Sequence, residues 1–502
     1  MKKIIFVLIF SSQFLIAQTE IVPEKKTQIA FAKVDFLSIE MPDLEELNMG
    51  FTGIHYNLML NDWSYAGLGI YGAVSGTRGG FFTLGVNAGI KKYFGEDFYV
   101  DTGFHFGGGG GAAAPDGGGA FILPHFNLGY NFNKFSVNSG WSYVNFFDGG
   151  LIKGHQVNLG LEIPLDYDYV DYEISENEYD FAALKKSDWN INSKRISLLF
   201  HVNNLKIKGN NQGINNGKTI RLAGFELASY LSKNWFVFLK VDGAFDGIKA
   251  GFMDVFLGGG YHLSFNKNNT NILAKFAAGA AGGGGIDTQG GFLIYPDISI
   301  EQKIFGDIYI AINKGYIMSI NSHFYTSSYG IGLKYYIDRN GIKADKKYAS
   351  GKFKGFEVIT KHDIYFNAKR DTGIEQNMHQ ISLQINFDLN KNIYVAGQTS
   401  FANFGNAGAY GEGIVGFGAR TNPILKNKII LFSQALAGAA GGGGISTGQG
   451  LILKPSAGFH YILNNALSFR AAGGYIKAKD GELSNPFLNF GIKYHLSFLK
   501  MN

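Results

Sequence analysis

Apolar and polar residues alternate with a period of two along most of the chain. The final segment shows it most clearly: Leu488, Phe490, Ile492, Tyr494, Leu496 and Phe498 alternate with Asn489, Gly491, Lys493, His495 and Ser497. Successive side chains of a strand point to opposite faces, so the six apolar groups share one face and the polar or small ones the other. Phe82, Leu84, Val86, Ala88 and Ile90 alternate in the same way with Thr83, Gly85, Asn87, Gly89 and Lys91. Val157–Ile163 does so around Asn158, Gly160 and Glu162, and Ile381–Leu389 around Ser382, Gln384, Asn386 and Asp388. A soluble sandwich would bury the apolar face against a second sheet. Here the other face is rich in Gly, Asn, Ser and Lys, which suits a wet interior and leaves the apolar face for lipid. The pattern predicts an all-β chain folded as a transmembrane antiparallel β-barrel.

Turn lengths give the barrel two distinct ends. Short polar turns lie at Asn61-Asp62, Gly95-Glu96-Asp97, Asn133-Lys134, Lys233-Asn234, Gly306-Asp307, Asn390-Lys391-Asn392 and Asn464-Asn465. Aromatic residues such as Trp63, Tyr93, Phe94, Trp235, Phe305 and Tyr394 crowd them, as expected of rings at headgroup level. Longer connections, at Pro42–Asn48, Asp148–Gly154, Lys208–Lys218 and Lys369–Met378, fall at the alternate positions. Short turns are therefore expected in the periplasm and long ones outside.

The segment from Gly279 to Ile286 recurs residue for residue from Gly438 to Ile445, with a looser copy from Gly107 to Gly119. Each is followed by an apolar run ending in proline, at Pro124, Pro296 and Pro455, which are 172 and 159 residues apart. The chain is thus a threefold repeat. The first unit divides into eight strands, at Gln28–Glu40, Met49–Leu60, Trp63–Ser75, Phe81–Phe94, Phe98–Gly107, Gly119–Asn131, Phe135–Phe147 and His155–Leu165. Residues 28–165, 195–337 and 356–498 form the three repeats, and eight strands are enough to close a transmembrane barrel. The connection Asp166–Lys194 has eight acidic and three basic residues (−5), and Asp338–Gly355 has six basic and two acidic (+4). One barrel of about 24 strands would need only short turns there. Long charged linkers favour three tandem barrels, with the linkers in the periplasm, where their opposite charges could attract through Lys343, Lys346, Lys347 and Lys352 or merely solvate the segments.

Met1-Lys2-Lys3, the apolar run Ile4–Ile16 and Ala17-Gln18 have the order of a secretory signal over residues 1–18. There is no Cys among the 502 residues, which excludes disulfides, thiolate metal sites and an acylated-cysteine anchor. The formal net charge of +5 is too mild for a nucleic-acid partner.

Candidate chemistry is sparse. The glycine runs lack the Lys-Ser/Thr and the helix of a phosphate loop. Glycine on both faces of a strand fits a barrel kink or outer loop. It also fits a flat docking surface, whose candidates are Gly282, Gly283, Gly284, Gly285, Gly441, Gly442, Gly443 and Gly444. His105 and His125 flank the first glycine-rich segment with Asp116 between them, but Asp297 and Ser456 replace His125 in the other units, which argues against a lipid hydrolase. Lys91, Glu162, Lys334 and Lys493 are the expected interior charges, paired into a plug in a narrow barrel or setting ion preference in a wide one. No catalytic, cofactor or metal site is assigned.

Leader, alternation, aromatic girdles and an aromatic-rich last strand together resemble the outer-membrane β-barrel superfamily. The resemblance implies an integral outer-membrane protein with membrane lipid around it and other envelope proteins as candidate partners. Two roles are open: a structural or partner-binding protein with filled barrels, or a porin or transporter with a water-filled lumen.

Overall fold

The computed structural model describes residues 21–189, 194–320, 323–339 and 348–502; the expected leader lies outside them. The described chain forms three closed antiparallel barrels of eight strands each. The first runs from Ala30–Ile39 to Lys153–Pro164, and its end strands pair with Val34 opposite Leu161. The second runs from Lys194–Lys208 to Tyr325–Arg339, closing with Leu198 opposite Tyr335. The third runs from Ser350–Lys369 to Ser484–Met501, closing with Thr360 opposite Ile492. Closure within each unit pairs every edge strand locally, which a hydrocarbon surrounding demands. Repeats could merge into one large ring only by leaving these end strands to pair across units.

The outward faces follow the alternation. Leu488, Phe490 and Ile492 are exposed, as are Val157, Leu159, Leu161 and Ile163, while Asn489, Lys493, Asn158 and Glu162 are buried inside. The interior is less uniformly polar than the alternation predicts. At the end bearing the long connections, barrel 1 is filled by an apolar cap that includes Leu37, Ile39, Phe51, Phe81, Phe121 and Phe146. Barrels 2 and 3 carry counterparts around Phe252, Leu293 and Phe324, and around Tyr410, Ile452 and Leu483. Period-two patterning fails in runs such as Phe121–Leu123, Phe292–Ile294 and Leu451–Leu453 because both phases are apolar: the cap packs inward while the outer phase meets lipid or a neighbouring barrel.

At the short-turn end the linkers are folded. Lys26–Gln28 pairs with Tyr167–Tyr169, and Glu178–Asp180 pairs with the start of barrel 3. Val170, Leu184 and Trp189 pack with Tyr348, Phe353, Leu499 and Met501, and the Trp189 indole N–H donates to the Pro23 carbonyl at 2.9 Å. The first strand of barrel 3 begins at Ser350, six residues before the alternation indicates, because Lys352 and Lys354 face outward to the linker. Both ammonium groups lie 2.7 Å from Glu176, so the oppositely charged linkers do meet. Lys343, Lys346 and Lys347 lie outside the described residues.

Candidate functional sites: the barrel interiors and the glycine seams

Each interior holds a connected set of buried charges on inward strand positions. In barrel 1, Lys91 is paired with Glu162, which also accepts from the Asn138 amide at 2.8 Å. Lys33 lies 3.2 Å from Asp35 and 3.6 Å from Asp101. In barrel 2, Lys334 meets Glu301 at 2.7 Å, Lys275 bridges Glu226 at 2.8 Å and Asp297 at 3.0 Å, and Lys240 lies 2.7 Å from both Asp242 and Asp254. In barrel 3, Glu357 takes Arg420 at 2.5 Å, Lys493 at 2.8 Å and the Asn386 amide at 2.7 Å, while Arg420 also pairs with Asp388. Lys454 lies 2.7 Å from Glu412. Arg470, fully buried, lies against the Phe432 ring with its guanidinium carbon 3.9 Å from the centroid.

Of the four interior charges singled out by sequence, Lys91 is joined to Glu162, whereas Lys334 and Lys493 sit in different barrels with partners that were not anticipated. Other interior pairs carried a usable signal. Lys33-Val34-Asp35, Lys240-Val241-Asp242 and Lys361-His362-Asp363 each place opposite charges two residues apart in an alternating strand, hence on one inward face. From the short-turn side, the linker's Tyr172 reaches the mouth of barrel 3: its hydroxyl donates to Asp388 at 2.5 Å and accepts from Arg420 at 2.5 Å.

The three histidine-and-aspartate positions do not converge. His105 is inside barrel 1 against the Asn87 side chain at 2.5 Å, His125 is 3.3 Å from Asp101, and Asp116 is in the glycine-rich connection, accepting from the Gly111 N–H at 2.8 Å. Asp297 and Ser456 are buried inside their own barrels. This arrangement does not form a nucleophile–base pair. Among the described residues no His, Cys, Asp and Glu cluster has the form of a metal site.

The glycine-rich connections form three seams that close a ring. The hairpin at 76–81 of barrel 1 lies on 283–291 of barrel 2, with the Gly79 N–H donating to the Gln289 carbonyl at 2.7 Å. The hairpin at 247–252 of barrel 2 lies on 442–450 of barrel 3, with the Gly247 N–H donating to the Gln449 side-chain carbonyl at 2.9 Å. The hairpin at 405–410 of barrel 3 lies on 111–120 of barrel 1, with the Gly408 N–H donating to the Gly117 carbonyl at 3.3 Å. The same two connections are used at every seam, so these head-to-tail contacts close after three units. A Cβ on Gly80 would stand 2.4 Å from the Gly283 nitrogen, and one on Gly441 would stand 2.6 Å from the Gly251 nitrogen. Glycine is required there for backbone to approach backbone.

The eight candidate docking glycines divide accordingly. Gly282 and Gly283 meet barrel 1, and Gly441 faces barrel 2, as does Gly442, whose nitrogen lies 3.3 Å from the Cβ position of Gly251. Gly284, Gly285, Gly443 and Gly444 have φ of +61°, +75°, +58° and +67° and shape the turn itself. Close backbone approach between barrels and local bending thus occur on adjacent residues.

Asp116 sits in the barrel 1–barrel 3 seam, where burial pushes its carboxyl up to about 6, opposed by the Gly111 N–H and the Arg78 charge. A carboxyl raised in the folded state favours folding most when protonated. Its contribution should be complete below about pH 4 and be lost as the pH rises through about 6. We expect the wild type to lose about 1–2 kcal/mol between pH 4 and pH 7 relative to Asp116→Asn. Denaturant titration of both proteins in lipid vesicles at the two pH values checks this.

No protein-family model and no curated protein matches the chain. Among solved structures, the chain is similar to the siderophore receptor PirA from Acinetobacter baumannii (TM-score 0.28, 8% identity, 95% of this chain and 81% of that one). It is also similar to the copper transporter OprC (0.28, 10%, 95% and 80%) and to OpdQ of Pseudomonas aeruginosa (0.22, 8%, 96% and 100%). Similarities of this size carry no argument about substrate or mechanism.

Proposed function

We propose that the chain is an integral outer-membrane protein with a structural or partner-binding role, and that its three barrels do not conduct. The observation that carries this reading is the filling of all three interiors. Each is crossed by buried ion pairs and topped by an apolar cap at the end with the long connections. An eight-stranded barrel has room for its own side chains and little else. A porin needs a continuous aqueous path, whereas here Lys91, Lys275, Lys334, Arg420 and Lys493 are paired with carboxylates across the lumen. The three-barrel ring and the folded layer of linkers beneath it suit a protein that presents surfaces to the envelope.

Planar-bilayer recording of the purified full-length chain tests this. The expected result is a seal unchanged after insertion, with insertion verified by protease protection of reconstituted vesicles. Reproducible ohmic current steps from inserted protein would overturn it in favour of a porin or transporter.

A further inference from the structure

All three barrels meet in one apolar cluster. Phe82 and Leu84 of barrel 1, Val255 and Ala280 of barrel 2 and Phe401 of barrel 3 are buried together on the outward faces of their strands. Below this cluster, toward the short turns, the faces part. On barrel 1 the outward positions run from Leu84, 2% exposed, to Ile90, 44% exposed. On barrel 3 they run from Phe401, 6% exposed, to Ile393, 43% exposed. On barrel 2, Leu239 and Val241 are half-buried while Val237 and Trp235 are exposed. Two outward positions on these walls lack a side chain: a Cβ on Gly259 would come no nearer than 3.5 Å to another atom, and one on Gly397 no nearer than 3.9 Å. The result is a wedge-shaped apolar crevice, closed above by the three-barrel cluster and open below.

Each wall ends on an exposed lysine. Lys92 follows Ile90 in the same outward phase, Lys233 lies in the turn before Trp235, and Lys391 lies in the turn before Ile393. An apolar slot at membrane depth, with one cation at the open, short-turn end of each wall, matches an acyl chain with its phosphate at that end. Water in the slot would leave exposed side chains such as Leu257 unfavourably hydrated.

We propose that this crevice holds a phospholipid of the leaflet on the short-turn side, its acyl chains against the Phe82–Val255–Phe401 cluster and its phosphate within reach of Lys92, Lys233 and Lys391. The proposal rests on the membrane placement above and is independent of whether the interiors conduct. Held by three barrels at once, such a lipid exchanges more slowly than the lipid around the outer surface and helps to fill a gap that protein side chains leave.

The test is organic extraction and phosphorus analysis of the full-length protein after exhaustive exchange into a phosphorus-free detergent, with native mass spectrometry of the same sample. The expected result is about one retained phospholipid per chain, seen as an adduct of phospholipid mass. The triple variant Lys92→Glu/Lys233→Glu/Lys391→Glu should retain roughly a hundredfold less, three lysines near a phosphate each contributing on the order of 1 kcal/mol. Lys134→Glu, in a short turn of barrel 1 outside these three walls, should retain as much as the wild type. Gly397→Leu fills the slot with all charges intact and should also expel the lipid, which covers the case in which the charge variant fails to fold. Wild type without phosphorus above the detergent blank, a mass adduct of free phosphate alone, or undiminished retention in a folded triple variant or in Gly397→Leu would overturn the proposal.

Discussion

Glu357→Gln should destabilise the protein by about 3–5 kcal/mol, the cost of leaving buried charges without their partner. The carboxylate is fully buried and takes Arg420 and Lys493 together, with the Asn386 amide on its other oxygen. The amide keeps the volume and some hydrogen bonding but removes the only negative charge that Lys493 contacts among the described residues. Asp388 still pairs with Arg420, so the loss falls mainly on Lys493. The double variant Glu357→Gln/Lys493→Met should regain a large part of the loss by removing the orphaned cation. Unfolding in lipid vesicles, followed by loss of heat-modifiable mobility, measures both. For contrast, neutralising Asp246, partner of Arg221 at an exposed rim, should cost no more than about 1 kcal/mol.

Gly80→Val should part barrel 1 from barrel 2 while leaving each barrel closed. Gly80 has φ of +94°, and a Cβ there would lie 2.4 Å from the Gly283 nitrogen and 2.6 Å from the Gly282 carbonyl carbon. Holding a β-branched residue in that backbone region costs about 1–3 kcal/mol before any clash is counted. The clash is with main chain, which cannot rotate away, so the seam has to open. The bond from Gly79 to Gln289 goes with it. The measurable consequence is new protease cleavage within 76–81 or 283–291 in intact proteoliposomes, with barrel strands still protected. Gly149→Val is the control: φ is also positive, at +74°, but nothing lies within 4 Å.

Much of this architecture was legible from residue order. The period-two runs at Phe82–Ile90, Val157–Ile163 and Leu488–Tyr494 place the outward phase correctly, although Phe82 and Leu84 of the first run meet neighbouring barrels and not lipid. The repeated Gly279–Ile286 segment established three units, and the charged connections separated three barrels from one. Two features were hidden. The apolar caps, with residues such as Leu37, Phe51 and Phe121, interrupt the alternation at its ends, where a strand leaves the membrane and its inner phase packs on loop residues. The seams were hidden because a glycine run states only that side chains are missing. That Gly283 meets Gly80, two hundred residues away, depends on how the ring closes and has no local signature. The partners of Lys334 and Lys493 were concealed because neither is a neighbour along the chain: Glu301 lies two strands from Lys334, across the strand Ile308–Ser319, and Glu357 meets Lys493 only because the first and last strands of barrel 3 pair. The Lys-x-Asp pairs at Lys33, Lys240 and Lys361 could have been read from spacing alone.

Closure of each repeat on itself can be read out with paired cysteines in a chain that has none of its own. Thr360 and Ile492 are register partners on the first and last strands of barrel 3. Paired Cα atoms of adjacent strands lie at a separation a disulfide can span. Thr360→Cys/Ile492→Cys should form an intramolecular disulfide on mild oxidation of the inserted protein, seen as a mobility shift that reductant reverses and that neither single variant shows. Ring closure across all three units would instead bring the first strand of barrel 3 beside the last strand of barrel 2. Crosslinking of Thr360→Cys with Ile331→Cys, and none with Ile492→Cys, would contradict the three-barrel account.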